Sequence, residues 1–406
     1  MTSNKNAILA VVGCSLAIFW PGALTFGYPG VMTPAWREMF HVGRGAAGMT
    51  VFFILAAVGI FMFLVGRWQE RYGPRTLIVL GVILTAVASL IAASASSMVM
   101  IYAWAFLNGL ASCFVYIPAM TMVQRWFPER KGLVAGIVST VFGLSAAVMS
   151  PLFGMMLTSL GYVSMNLSVA ALTLAVGLAG AFLARAPEGE PRTREAEPEK
   201  AAVDSFTVRE SLRTRSFWFL WVTWILAGAA GISMTVLATL YGLSRGFPLK
   251  SAIFLLTAFN LTNGASRLIS GYASDKFGRN RVMSLAFIGA GLAYFALTRA
   301  GGLAACAVLT AVVGFSFGTL FSVSAPLVAD CFGLKHFGAI FGLTFTAYGF
   351  IAGPLGPALS GFLLDATGDN FDPVFLYLGI FCLLAGFFIR FVVRPRRSGF
   401  AEIPPR

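Results

Sequence analysis

The chain has 406 residues, of which 58% are hydrophobic and only 11% are charged, and its mean hydropathy is +0.82. These values exclude a soluble globular domain, because the apolar residues form runs of about 20, the length that crosses a bilayer core. The lipid bilayer is therefore a predicted partner. The net charge of +13 would also suit a nucleic-acid-binding protein, so the placement of the basic residues has to separate the two readings.

Twelve apolar runs follow one another along the chain, and each predicts a membrane-spanning helix. The first run is too long for the apolar part of a signal peptide and lacks a small-residue cleavage site, so we expect it to be retained. The predicted fold is an all-α membrane protein with twelve transmembrane helices in two six-helix halves. The predicted spans, numbered 1 to 12, are residues 6–34, 46–66, 76–94, 97–123, 133–158, 163–185, 215–244, 250–273, 282–300, 302–329, 337–365 and 374–396.

Most basic residues fall on one side of these spans. By this assignment, 23 of the 29 Lys and Arg lie on the side that holds both chain ends, five lie on the opposite side, and Arg267 lies inside a span. Cytoplasmic loops carry such an excess of basic residues. We therefore expect a multi-pass protein of the cell inner (plasma) membrane, with both termini in the cytoplasm and no nucleic-acid partner.

A polar segment rich in Pro, Glu and Arg separates six spans from six. It predicts an N-terminal half at 1–185, a cytoplasmic linker at 186–214 and a C-terminal half at 215–406. A short amphipathic helix is expected near 204–214, at the end of the linker.

The two halves repeat one another in sequence. GRWQERYGPR at 66–75 matches GYASDKFGRN at 271–280, and further along each half Pro151 aligns with Pro357. Internal repeats of this kind are typical of secondary transporters, whose binding site lies near the membrane midplane between the halves. The prediction is a carrier that works by alternating access.

Span 8 contains Arg267, and Asn260, Asn263 and Arg267 share one helical face because they are spaced i, i+3, i+7. A guanidinium at membrane depth costs at least about 2.5–3.5 kcal/mol and by default marks a functional site. No Asp or Glu lies within the predicted spans away from their ends. This favours a small carboxylate that enters from water and takes both prongs of the guanidinium. The alternative is that Arg267 extends to the cytoplasmic surface.

An enzyme is not predicted, because the chain lacks the residues that membrane-embedded chemistry would need. Its two His fall in loops, and no acidic residue is predicted within the membrane. The five Cys are scattered without metal-ligand spacing, so we expect packing residues and neither a metal nor a cofactor. A phosphate-cradling Gly-Lys loop is also missing, which argues against a nucleotide-driven pump.

The loops after spans 2 and 8 resemble the GxxxDRxGRR-type signature of the major facilitator superfamily, with Glu70 in the usual Asp position of the first copy. Two copies in equivalent places of a six-plus-six chain make the resemblance specific. Carboxylates at such helix ends can pair with Arg or with a helix N-terminus in one conformation only. We therefore expect gating roles for Glu70, Arg71, Asp275 and Arg279.

The stretch NGASRLISGYASDKFGR, from Asn263 to Arg279, resembles the monocarboxylate transporter family and its bacterial oxalate–formate exchanger branch. The resemblance implies that Arg267 binds the substrate carboxylate, with Asn263 beside it. The exchanger carries a Lys in span 11 where this chain has Tyr348, so one fixed charge remains. This implies a monoanion, such as L-lactate or pyruvate, ahead of oxalate.

Aromatic residues at inward-facing positions are the other candidates for contact with substrate. Tyr116 resembles a position that the exchanger uses for substrate, and a Tyr hydroxyl can donate to a carboxylate while its ring closes the cavity. The alternative for each of them is packing or contact with lipid. The candidates are Tyr28, Tyr116, Phe321 and Tyr348.

Proton-coupled symport is implied by the family, and a monomer is the default expectation for the quaternary state. The animal proton-linked members have an Asp where this chain has Asn263, and they have a Lys in span 1, whereas residues 6–36 here hold no charge. An empty carrier would leave Arg267 buried without a counter-ion, which favours exchange of one anion for another. Exchange of the oxalate/formate type is therefore the alternative to symport.

Overall fold

The fold was analysed in a computed structural model that describes residues 2–127, 131–185, 205–333 and 337–395. In the N-terminal half, long helices occupy all six predicted spans. Span 1 comprises two helices that meet at Gly27, because Pro29 lies in the first turn of the second helix. The six spans are Thr2–Phe26 with Tyr28–Phe40, Arg44–Tyr72, Pro74–Ala93, Met98–Trp126, Lys131–Leu160 and Tyr162–Leu183.

The C-terminal half repeats this arrangement with six further spans. Eleven helices in the described chain are long and apolar enough to cross a membrane. The remaining one is span 8, a helix of 29 residues whose apolar character is lowered by Asn260, Asn263 and Arg267. Spans 7 to 12 are Arg215–Ser244, Leu249–Phe277, Arg279–Leu297, Leu303–Phe332, Phe337–Thr367 and Asp372–Phe388. The predicted all-α fold is thus confirmed.

Span 11 is a regular α-helix only at its two ends. Two wider π-helical segments, Ala347–Ala352 and Pro354–Ala358, interrupt it around Gly353. Proline removes a backbone donor, and glycine lowers the preference for a regular helix, so this Gly- and Pro-rich sequence favours an irregular turn. Such segments are frequent at functional sites in helices, and Tyr348 lies in the first of them.

The end of the polar linker is ordered against the C-terminal half. A single helical turn, Val208–Ser211, begins with a capping box in which Thr207 and Glu210 satisfy each other's backbone donors. Just before it, the backbone N–H of Phe206 donates to the carbonyl of Phe332 over 2.8 Å. The short helix that the sequence predicts near 204–214 is therefore present, and it lies beside the end of span 10.

Small residues allow the two halves to touch on the side away from both chain ends, called here the distal side. A Cβ on Gly30 would lie 2.0 Å from the carbonyl oxygen of Thr235, and one on Gly48 would lie 2.5 Å from that of Pro357. Contacts this short leave no room for a side chain, so these glycines set the backbone separation between the halves. The distal side is closed.

A polar contact covers the distal rim of this closed interface. Asp365, near the end of span 11, accepts hydrogen bonds from the backbone N–H groups of Arg44 (2.9 Å) and Gly45 (3.0 Å), the first residues of span 2. Its carboxylate thus caps a helix N-terminus in the other half, where unpaired donors and the helix dipole favour negative charge. The Arg44 side chain in turn pairs with Asp369. We call Arg44, Asp365 and Asp369 the distal latch.

Removal of the Asp365 carboxylate should shift the protein toward states that are open on the distal side. The capped N–H groups and the partly exposed ion pair between Arg44 Nη1 and Asp365 Oδ1, 3.9 Å apart, contribute on the order of 1 kcal/mol, so Asp365→Ala should raise the open population several-fold. The readout is the rate at which a membrane-impermeant thiol reagent, added from the distal side, labels a cysteine introduced at Ser112 in the interior. All five described native cysteines are buried.

Asp372→Ala is the matched control, because Asp372 is an exposed acidic residue at the start of span 12, a few residues beyond the latch. Equal labelling rates in the wild type and both variants would show that the latch does not hold the distal side closed.

Candidate binding site

A cavity lies between the two halves, at the level of Arg267. It holds about 470 Å³ of empty space, including the part that opens to solvent. Spans 1, 2, 4 and 5 of one half and spans 8, 10 and 11 of the other contribute its walls. The lining residues are Thr25, Phe26, Leu55, Val58, Met62, Ser112, Tyr116, Phe142, Arg267, Phe321, Phe345 and Tyr348.

Arg267 supplies the charge of this cavity, and its side chain is held by neutral groups. It is only 3% exposed, and its Nη1 donates to Ser139 Oγ over 2.8 Å. The guanidinium carbon lies 4.9 Å from the ring centre of Phe321 and 5.8 Å from that of Phe142, both distances typical of cation–π contacts. Nε and Nη2 are buried without a hydrogen-bond partner in the described structure. One edge of the guanidinium therefore remains unpaired.

Aromatic rings from both halves form the walls around this cation. Tyr116 and Phe142 meet edge to face with ring centres 5.1 Å apart, and Phe321 and Tyr348 do so at 5.5 Å. Behind them, Trp224 packs against Phe321, at 5.2 Å. Edge-to-face pairs hold rings in defined orientations. The buried Tyr348 hydroxyl has no hydrogen-bond partner among the described residues.

The structure brings four of the six predicted substrate contacts together, namely Arg267, Tyr116, Phe321 and Tyr348, and it places the other two elsewhere. Tyr28 donates to Asn166 and packs against Trp104 within a separate aromatic cluster. Asn263 is fully buried but is not among the lining residues. Of the face spaced i, i+3, i+7, only Arg267 lines the cavity, and the Asn260 amide donates to the carbonyl of Phe26 instead.

The residues predicted to form a gate lie at the opposite end of the molecule from the distal latch. Arg279 donates to Asp275 over 2.9 Å and also pairs with Asp330, all within the C-terminal half. Arg71 lies over the ring of Tyr72, and the side chain of Glu70 falls outside the described residues. Their gating role stays a prediction. Asp330 is a partner that sequence reasoning missed.

Ser139 and Phe142 are site residues that sequence reasoning also missed, although the internal repeat carried a signal for them. The offset of 206 that aligns Pro151 with Pro357 also aligns Phe142 with Tyr348. Both of these aromatic residues line the cavity. Applied to every candidate, the repeat would have placed Phe142 at the site.

The family follows from comparison with known proteins. The family model of the Major Facilitator Superfamily matches residues 15–258 and 247–405, which together are nearly the whole chain. The chain belongs to the major facilitator superfamily. It is therefore a membrane transporter and not an enzyme, as predicted.

Individual relatives of this transporter are distant. It is 27% identical to the oxalate:formate antiporter of Oxalobacter formigenes over 334 residues, which cover 81% of this chain and 78% of that protein. It is 28% identical to monocarboxylate transporter 13 of Bos taurus over 324 residues, 78% of this chain and 73% of that one. A crystal structure of a variant of the nucleoside transporter NupG superposes with a TM-score of 0.74 at 12% identity, covering 95% and 98% of the two chains, and confirms the fold.

Gly143 should be indispensable to this transporter, because it is where spans 5 and 8 meet beside Arg267. A Cβ at this position would lie 2.9 Å from Gly264 Cα and 3.0 Å from Arg267 Nε. Gly143→Ala would therefore force the halves apart and crowd the guanidinium, and we expect it to lower substrate transport at least about tenfold. The measurement is uptake into proteoliposomes at matched protein content.

Gly136→Ala is the control, about two turns earlier on the same helix. There a Cβ would meet only Leu268 Cδ2, at 3.5 Å, an ordinary contact. If both variants transported as well as the wild type, close approach of the two helices at Gly143 would be unnecessary for transport.

Proposed function

We propose that this transporter carries small monocarboxylates, such as L-lactate and pyruvate, by alternating access and together with a proton. The observation that carries the proposal is Arg267, a buried cation between the two halves that is held by a hydroxyl and two aromatic rings. A buried charge of this kind is strongly disfavoured until a counter-ion binds it. An anion from solution supplies that counter-ion.

The chemistry of the unpaired edge favours a carboxylate among anions. Nε and Nη2 of Arg267 point along one side of the planar guanidinium, and neither has a partner in the described structure. Two parallel N–H donors match the two oxygens of a carboxylate, which gives geometric selectivity as well as strength. Tyr116 and Tyr348 line the same cavity and can donate to a carboxylate oxygen or to a 2-hydroxyl or 2-keto group.

The balance of charge in the cavity favours one carboxylate over two. Arg267 is the sole charged residue among the twelve described lining residues. The second carboxylate of a dianion would lie against Phe26, Leu55 or Phe345, where an unpaired charge is costly. A short alkyl group such as the methyl of lactate suits these walls. The relationship to monocarboxylate transporter 13 supports the same substrate class.

Arg267→Ala should lower uptake of radiolabelled L-lactate into proteoliposomes at least about 30-fold. Hydrogen bonds to charged groups contribute about 1.5–3 kcal/mol each, and this substitution removes two of them from the substrate. Arg267→Lys is the informative companion, because it keeps a charge but lacks the paired donors, and we expect partial uptake with a raised half-saturation concentration. Uptake by Arg267→Ala at the wild-type rate would remove Arg267 from the substrate site.

Exchange of one organic anion for another is the second candidate function. It is favoured by the same cation, because an empty carrier has to reorient with Arg267 lacking a counter-ion, whereas a loaded carrier never does. None of the described lining residues is acidic, so no carboxylate in the cavity wall is available to carry a proton. The relationship to the oxalate:formate antiporter supports this alternative.

A single flux experiment separates symport from exchange. Under symport, an inward proton gradient should accelerate L-lactate uptake into empty proteoliposomes, because the proton moves with the anion. Under exchange, uptake should be slow into empty vesicles and should rise several-fold when the vesicles are preloaded with lactate or pyruvate. The uptake rate should then be independent of the proton gradient. Oxalate and formate tested as competitors define the substrate range in both cases.

The membrane and its sidedness belong to the same proposal. The excess of Lys and Arg on the side of both chain ends supports an inner (plasma) membrane location with cytoplasmic termini, so the distal latch would face outward. The cluster of Asp275 and Arg279, with Glu70 and Arg71 in the other half, would then form the cytoplasmic gate.

We propose a monomer as the transporting unit. Tyr28 and Asn263 are left out of the substrate site, because neither lines the cavity.

A further inference from the structure

Ser139 is a hydroxyl of the N-terminal half that reaches the binding cation of the C-terminal half. It lies in span 5, four residues before Gly143, and its Oγ accepts from Arg267 Nη1 over 2.8 Å. Most buried hydroxyls on the long described helices, such as those of Ser145 and Ser150, donate to a backbone carbonyl three or four residues earlier in their own helix, whereas Ser139 is half-buried. The contact of Ser139 with Arg267 therefore crosses the interface between the halves.

Ser139 contacts Arg267 at Nη1, and this leaves the other edge of the guanidinium without a partner. Nη1 is on the side of the group opposite the edge formed by Nε and Nη2, and that edge is unpaired in the described structure. The rings of Phe142 and Phe321 contact the guanidinium as well, at 5.8 Å and 4.9 Å. Ser139 thus holds Arg267 at Nη1, away from the unpaired Nε–Nη2 edge.

A long Arg side chain has many rotamers, so the orientation of its guanidinium has to be restrained by its neighbours. Fixing such a chain costs up to about 2 kcal/mol of rotamer freedom, and cation–π contacts allow the group to rotate within its plane because they lack a directional bond. The hydrogen bond to Ser139 is a directional restraint on the guanidinium. Without it, the substrate would have to fix the side chain during binding.

We propose that Ser139 is a positioning residue that orients Arg267 so that its Nε–Nη2 edge receives the substrate carboxylate. This inference rests on the proposed function, since it names a further residue of the same binding site. Ser139 does not contact the substrate in this arrangement. It raises affinity by fixing the donor edge before the carboxylate arrives, which is the usual effect of preorganisation.

The test measures equilibrium exchange of radiolabelled L-lactate in proteoliposomes with equal lactate inside and outside, which removes the return of the empty carrier from the rate. For Ser139→Ala we expect the half-saturation concentration to rise about tenfold, with the maximal rate within twofold of the wild type. Ser139→Thr keeps a hydroxyl on the same carbon and should restore the half-saturation concentration to within about threefold. A purely structural defect would lower the maximal rate of both variants instead.

Ser145→Ala is the matched control, because it removes a buried hydroxyl from the same helix that bonds only the carbonyl of Phe142. An unchanged half-saturation concentration in Ser139→Ala, or an equal rise in Ser145→Ala, would overturn the positioning role while leaving the monocarboxylate function in place. Absence of saturable lactate or pyruvate transport by the wild type would overturn the proposed function itself, and the role of Ser139 with it.

Discussion

The rest of this structure depends on one buried guanidinium that has no fixed acidic partner among the described residues. Arg267 sits in span 8, between the two halves, with a hydroxyl and two aromatic faces around it. Neutral groups offset only part of the cost of burying a cation. Under the proposed function, an anion bound at this depth, where both halves meet, supplies the missing counter-ion.

The residues around Arg267 come from both halves, so the cavity wall and the contact between the halves share the same helices. Ser139 and Phe142 come from span 5 of one half, whereas Arg267 and Phe321 come from the other, so the surroundings of the cation are complete only while these halves are together. On the distal side, the close glycine contacts and the Asp365 cap hold that arrangement. A ligand that strengthens contacts around Arg267 also strengthens the closed interface, which is how differential binding drives a conformational change.

The sequence predicted the helices well because hydropathy and length are sufficient for membrane spans. It indicated Arg267 as a candidate for substrate binding because a charge at that depth has few structural explanations. It did not predict Ser139, since a serine in an apolar helix usually bonds its own backbone and nothing in the residue type distinguishes the exception. Asp365 was missed for a related reason: an acidic residue at a span end is common, and only the three-dimensional structure shows that it caps a helix of the other half.

Tyr28 and Asn263 show that helical spacing alone does not predict which residues line the cavity. Spacing along a helix fixes which residues share a face, but a helix in a bundle has several buried faces, and spacing does not say which of them meets the cavity. Tyr28 faces Asn166 and its own half, and Asn260 faces span 1. The internal repeat constrains this choice better than spacing does, because Phe142 and Tyr348 occupy equivalent positions and both line the cavity.

The contact between Gly143 and Gly264 has a mechanical consequence. The backbones of spans 5 and 8 approach each other there so closely that a single methyl group would not fit, and this point is also beside the cation. If the halves rock about this contact during the proposed alternating access, the two ends of the molecule move much further than the atoms around Arg267. Such a transporter would open the substrate to one side of the membrane and then to the other with little displacement of the substrate itself.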